Sequence, residues 1–253
     1  MKRRTFVKGS AGLFVATAFL PFIAEGAKPK HIGIQLYTLR KEMDENPLET
    51  LKKVAELGYE NLESAAGKKG HFYGYSPKEF KKIVNDLGMK LLSSHVQSGR
   101  TNPDDKLTMS NGWETFLDNA AEAGQKYVVC PYLNEKERKT IEDYKETAEF
   151  FNKCAQKAKA RGLKFGYHNH SFEFETLEGQ IPEEVLIKNT DPSLVSFELD
   201  LYWCVKAGFD PIELFKKFPG RFHLWHVKDM AKTEKKEFSE VGNGSIDFKR
   251  IFK

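Results

Sequence analysis

Three apolar runs in the second half of the chain end in side chains that ligate metals: Tyr167-His168-Asn169-His170, Glu198-Leu199-Asp200 and His226-Val227-Lys228-Asp229. Side chains on a strand alternate between its two faces. If each run is a strand, His168 therefore shares a face with His170, Glu198 with Asp200, and His226 with Lys228. Imidazoles mixed with carboxylates suit a divalent metal. Any one of these triplets could be an ordinary polar strand end, but three at similar intervals point to one shared site.

The elements that must position them recur along the chain. Short β-rich runs at 32–36, 61–63, 90–95, 127–130, 164–168, 195–200 and 222–227 alternate with amphipathic helical patterns at 47–57, 77–87, 109–123, 141–160, 183–187 and 211–218. That alternation is the βαβ signature of a parallel sheet. The phrases Leu57-Gly58-Tyr59, Leu87-Gly88-Met89, Ala123-Gly124-Gln125 and Arg161-Gly162-Leu163 repeat one device, a glycine that ends a helix in the left-handed conformation just before the next strand. Functional-looking side chains stand at the carboxyl ends of many strands rather than at one switch point, and no Gly-rich dinucleotide loop follows the first strand, so the pattern favours a (β/α)8 TIM barrel over a Rossmann fold.

The amino terminus reads as a targeting segment. Arg3-Arg4-Thr5-Phe6-Val7-Lys8 precedes a mostly apolar stretch, Ala11 to Ala24, which is short and rich in small residues. The pattern resembles a twin-arginine (Tat) export signal over 1–26, with the barrel over 27–253 and a periplasmic destination. No stable membrane insertion is expected after cleavage. Cys130, Cys154 and Cys204 form no CxxC pair and read as buried small hydrophobes. The net charge of +4 is spread among glutamates without a basic stripe, which argues against nucleic acid as a partner.

The segments 32–40 (Ile-Gly-Ile-Gln-Leu-Tyr-Thr-Leu-Arg), 58–63, 167–174 (Tyr-His-Asn-His-Ser-Phe-Glu-Phe), 198–200, 226–229 and 241–248 (Val-Gly-Asn-Gly-Ser-Ile-Asp-Phe) resemble the sugar phosphate isomerase/epimerase family of xylose isomerase-like TIM barrels. The resemblance implies a divalent ion held by residues from strands five to eight at the barrel mouth. Carried over, it gives His168 in place of the family's strand-five Glu, Asp200 on strand six and His226 on strand seven, a ligand set for Zn, Mn, Fe or Co. His170 competes with His168 for the first of these places. The eighth-strand Glu has no counterpart, and the barrel is expected to lack its eighth strand in this chain, with truncation the favoured reason.

Family members move a proton through an ene-diolate. Here His168 is the candidate base, and Lys228 could balance charge developing on an oxygen. Glu198 reads either as a partner of a ligand imidazole or as half of an ion pair. Tyr37 and Arg40 after the first strand, Glu63 ending the second, His95 ending the third, Tyr132 after the fourth, with His170 and Trp203, are candidates for contact with a polyhydroxylated ligand. The expected activity is metal-dependent isomerisation or epimerisation, or a related elimination, on a sugar, keto-glycoside or cyclitol. A non-catalytic carbohydrate-binding barrel and an endonuclease IV-like phosphodiesterase are the alternatives. A homo-oligomer stays open.

Overall fold

The computed structural model describes residues 32–253, so the expected export signal lies outside the described residues. Strands β1 (Gly33–Gln35), β2 (Asn61–Ser64), β3 (Lys90–His95), β4 (Tyr127–Cys130), β5 (Lys164–His168), β6 (Val195–Asp200) and β7 (Phe222–His226) form one parallel sheet in chain order. Helices α1 (Arg40–Glu45), α2 (Pro47–Glu56), α3 (Pro77–Asp86), α4 (Trp113–Glu122), α5 (Ile141–Lys159), α6 (Pro182–Asn189), α7 (Leu201–Lys206) and α8 (Pro211–Lys217) carry the chain between strands. Past β7 come an antiparallel pair, β8 (Asp229–Met230) with β9 (Phe238–Ser239), and a short α9 (Phe248–Ile251). Among the described residues the parallel sheet has seven strands, as the sequence pattern predicts.

Local chemistry explains the boundaries. Gly58, Gly88, Gly124 and Gly162 all adopt positive φ, between 74° and 88°, and each ends a helix as expected. Pro occupies the first turn of α2, α3, α6 and α8, where its missing N–H is not needed. Ser76 with Glu79 and Thr140 with Asp143 form capping boxes that start α3 and α5. The helix expected from 109 begins only at Trp113, because Met109 and Ser110 donate their N–H groups to Gln97 and Ser98 carbonyls and Gly112 turns left-handed at φ 92°. Outside the pattern lie the short helices α1, α9 and α7, the last continuous with the apolar run of β6, and the β8/β9 hairpin.

Strand alternation divides the residues as a half-buried period requires. Phe165 and Tyr167 of β5 and Phe197 of β6 face the helices, where they pack with Phe151 and Leu186 in the largest apolar cluster. Gly166, His168, Glu198 and Asp200 take the opposite face. The three cysteines are buried and unpaired, as expected of small core residues.

One carboxylate ties the hairpin to the loop that follows it. Asp229, 1% exposed, accepts the backbone N–H groups of Met230, Gly242, Gly244 and Ile246 at 2.8–3.1 Å. These bonds hold its carboxyl below the usual range despite burial. A Cβ at Gly244 would overlap the Asp229 carboxylate and the Met230 carbonyl. Gly244→Ala is therefore expected to destabilise the chain by about 1–3 kcal/mol through overpacking. Thermal unfolding would measure it, and an unchanged melting temperature would show that the hairpin gives way without cost.

Candidate metal centre

The register of the sheet delivers the site. His168 lies directly opposite Glu198 across β5 and β6, and Asp200 opposite His226 across β6 and β7. Two bulges, one residue inserted in β3 and one in β7, adjust the inward alternation so that His95 and His226 meet this layer. Four donors converge as a result: one atom each from His95, His168, Glu198 and His226, all within 4.8 Å of one another.

Carboxylates knit the cluster together. Glu198 Oε2 lies 3.0 Å from His95 Nε2, 3.1 Å from His168 Nδ1 and 3.2 Å from His226 Nε2. Glu63 reaches in from β2 and spans the mouth, 2.9 Å from His95 Nε2 and 2.8 Å from His226 Nε2, while accepting hydrogen bonds from Gln35 and Ser93. The three imidazole rings pack at centroid spacings of 4.5–5.4 Å.

Asp200, a ligand in the set that the family resemblance implies, lies beside the four-donor group. Its Oδ2 receives Lys228 Nζ at 2.6 Å, its Oδ1 caps α7 through the Trp203 N–H at 3.1 Å, and it stands 3.6 Å from His168 Nε2 and 4.0 Å from His226 Nδ1. Its own N–H goes to Asn169 at 2.9 Å. With one oxygen on an ammonium group and the other on a helix start, Asp200 flanks the four-donor group rather than joining it. Glu198 and His95 occupy the central places instead.

Burial sets the electrostatics. Desolvation opposes charge on His95, yet Glu63 and Glu198 outweigh it and raise its pKa to about 10. His226 is raised for the same reasons, Glu198 and Glu63 again overcoming burial. His168 is driven well below the usual imidazole range by burial and by the neighbouring His226 and His95. Burial also disfavours charge on Glu63, but His95 and His226 win and hold it well below the ordinary carboxylate value. Glu198, buried and beside Glu63, is pushed up. Three imidazoles and a carboxylate within reach of one point fit a divalent ion of the zinc type.

The other sequence candidates divide into two groups. His170 stands one ring from His168 at 5.1 Å and 5.5 Å from Trp203, and its Nδ1 is buried without a partner. Burial lowers its pKa to about 4, so the ring is neutral. Tyr132 meets His170 edge-on at 5.2 Å. Phe238 of the hairpin, missed in the sequence, packs on Tyr202 and Trp203 and lies 5.7 Å from Lys228 Nζ. These line the mouth on one side. Tyr37 does not join them: it is 57% exposed, with its N–H on Gln35 and the Arg40 guanidinium over its ring.

Comparison with known proteins gives the same architecture. An inosose dehydratase from Clostridium botulinum (strain Alaska E43 / Type E3) is 32% identical over 241 residues, which cover 83% of this chain and 78% of that protein. The crystal structure of a sugar phosphate isomerase/epimerase from Parabacteroides distasonis ATCC 8503 superposes with a TM-score of 0.74 at 30% identity, covering 91% of this chain and 83% of that one. The structure of an IOLI protein with a bound zinc atom shares the fold, with a TM-score of 0.66 at 16% identity over 86% of this chain and 81% of that one. A family model described as xylose isomerase-like TIM barrel matches residues 51–253. The chain, related to inosose dehydratases and sugar isomerases, thus belongs to the xylose isomerase-like TIM barrel family.

Proposed function

We propose that this chain is a divalent-metal-dependent enzyme that removes a proton next to a carbonyl of a keto-sugar, keto-glycoside or cyclitol ketone, and so isomerises, epimerises or dehydrates it. The observation that carries the reading is the four-donor group of His95, His168, Glu198 and His226 at the carboxyl ends of the strands, flanked by a Lys228–Asp200 pair. A divalent ion held there would polarise the substrate carbonyl and stabilise charge on its oxygen.

The chain's own residues would do the rest. Both ring nitrogens of His168 face carboxylates, Glu198 at 3.1 Å and Asp200 at 3.6 Å, which suits a ligand better than the free base read from the sequence. The proton would pass to Glu63, which His95 and His226 keep ionised, while Lys228, whose side chain is 36% exposed and whose Nζ donates to Asp200, would balance the charge developing on the substrate oxygen. His170 and Trp203 would offer a neutral nitrogen and an aromatic face to the hydroxylated ring, with Tyr132 behind them.

Solvent-proton exchange in deuterated water, followed by NMR with metal-loaded protein and a panel of keto-sugars and inososes, tests this reading. Exchange at the carbon next to the carbonyl is the expected result. Lys228→Met should lower its rate by about 100-fold or more, the range for losing a donor that stabilises charge on a developing oxyanion, while leaving metal content unchanged. A loaded protein that binds these compounds but exchanges no proton would leave a binding barrel in its place.

Export belongs to the same proposal. Arg3 and Arg4 supply the twin-arginine pair, and that route accommodates a protein folded around its metal before translocation. Replacing both by Lys is expected to hold the protein in the cytoplasm. Unchanged delivery to the periplasm would remove the assignment.

A further inference from the structure

The opposite end of the barrel carries a second feature that the proposed activity does not use. A cavity of about 560 Å³ opens at the amino-terminal ends of β3, β4, β5 and β7, lined by Leu92, Lys126, Tyr127, Lys164, His223 and Leu224. Tyr127 and Lys164 lie opposite each other in the β4–β5 register. Lys164 precedes His168 by four positions on the same strand, so the two share the inward face at opposite ends of the barrel.

The bulges that serve the mouth also build this floor. In the β2–β3 pairing Leu62 matches Leu91 and Glu63 matches Ser93, which leaves Leu92 as the inserted residue. In the β6–β7 pairing Phe197 matches Phe222 and Glu198 matches Leu224, which leaves His223. A bulge frees its extra residue from the ladder and re-aims the side chain. Both inserted residues line the cavity.

Its charge is one-sided. Two ammonium groups and an imidazole line the cavity without a carboxylate. Several other surface lysines pair within their helices, as Lys52 does with Glu49, Lys82 with Asp86 and Lys145 with Glu142. Among the described residues Lys126 and Lys164 form no ion pair. Lys164 Nζ rests instead over the Tyr127 ring at 5.5 Å, and that ring meets His223 edge-on at 6.3 Å. The cation–π contact positions the ammonium group without neutralising it. A concave surface of one sign concentrates counter-ions, and lysines around a hydroxyl suit a phosphate group.

We infer that this floor cavity is an anion site for a phosphate group, free or on a small monoester, held by Lys126, Lys164, His223 and the Tyr127 hydroxyl. The inference stands apart from the chemistry at the mouth. Isothermal titration of the full chain with inorganic phosphate, and separately with glycerol 3-phosphate, at constant ionic strength in EDTA tests it, because the chelator removes any metal from the mouth. Saturable binding of one anion per chain is expected, weakened at least tenfold by Lys164→Gln and by Lys126→Gln. The second substitution lies on the exposed rim and covers the case in which the first disturbs folding. Tighter binding of the ester would identify the ligand as a phosphorylated metabolite, and equal or weaker binding as the free ion. Binding that is abolished by EDTA, unaffected by both substitutions or reproduced by chloride at the same ionic strength would overturn the site.

Discussion

Glu198→Gln is expected to weaken zinc binding by about 100-fold or more, since losing even a partner that only orients a ligand costs about 10–100-fold. Asp200→Asn is expected to weaken it by only about tenfold, the lower end of that range. The contrast follows from where the two carboxylates sit. Glu198 Oε2 is within 3.2 Å of nitrogens from all three imidazoles, while Asp200 is engaged by Lys228 Nζ at 2.6 Å and by the start of α7. A double change of His168 and His226 to Ala removes half of the four donors and should abolish stoichiometric metal altogether. Elemental analysis after native purification, with chelator competition for the single variants, provides the measurement. If Asp200→Asn loses the metal and Glu198→Gln retains it, the ion sits toward Lys228 and the set expected from the family resemblance is restored.

The difference between those two carboxylates shows what could be read from the chain and what could not. Period-2 alternation and the glycine-closed turns are local, so the strand ends and the shared inward face of Glu198 with Asp200 were legible from the residues alone. The partners of each donor were not. His95 bonds to Glu198 over a sequence separation of 103 residues, and Glu63 to His226 over 163. Those contacts depend on the sheet carrying β2 and β3 across to β6 and β7 and on bulges that shift the register within β3 and β7. His95 and Glu63 therefore looked like substrate contacts from their strand-end positions, with nothing local to bring them to the metal ligands. Asp200 also bonds Lys228, which follows the end of β7 and whose reach is set by side-chain length rather than by strand position. The hairpin escaped because its organiser is a single carboxylate, Asp229, gathering backbone N–H groups from 13, 15 and 17 residues away.

Zinc affinity is expected to rise steeply with pH between 6.5 and 8.5, by about tenfold per pH unit for each proton that binding displaces. The proton on His95 drives this. In the metal-free cluster Glu63 and Glu198 overcome burial and raise the His95 pKa to about 10, above the ordinary imidazole value of 6.5, and His226 is raised as well. For folding the sign is fixed: a raised imidazole contributes stability that is fully present below 6.5 and is lost as pH rises toward 10. For metal binding the same proton is a competitor, so the ion gains what the metal-free fold loses. His168 adds no slope, because burial and its imidazole neighbours already keep it neutral. Chelator competition at pH 6.5, 7.5 and 8.5 should give a slope between one and two decades per unit. Glu63→Gln should flatten it, by withdrawing the carboxylate that contributes most to raising His95. A flat profile in the unaltered chain would mean that His95 enters the site already neutral, and that the carboxylates around it serve to orient the rings rather than to hold protons on them.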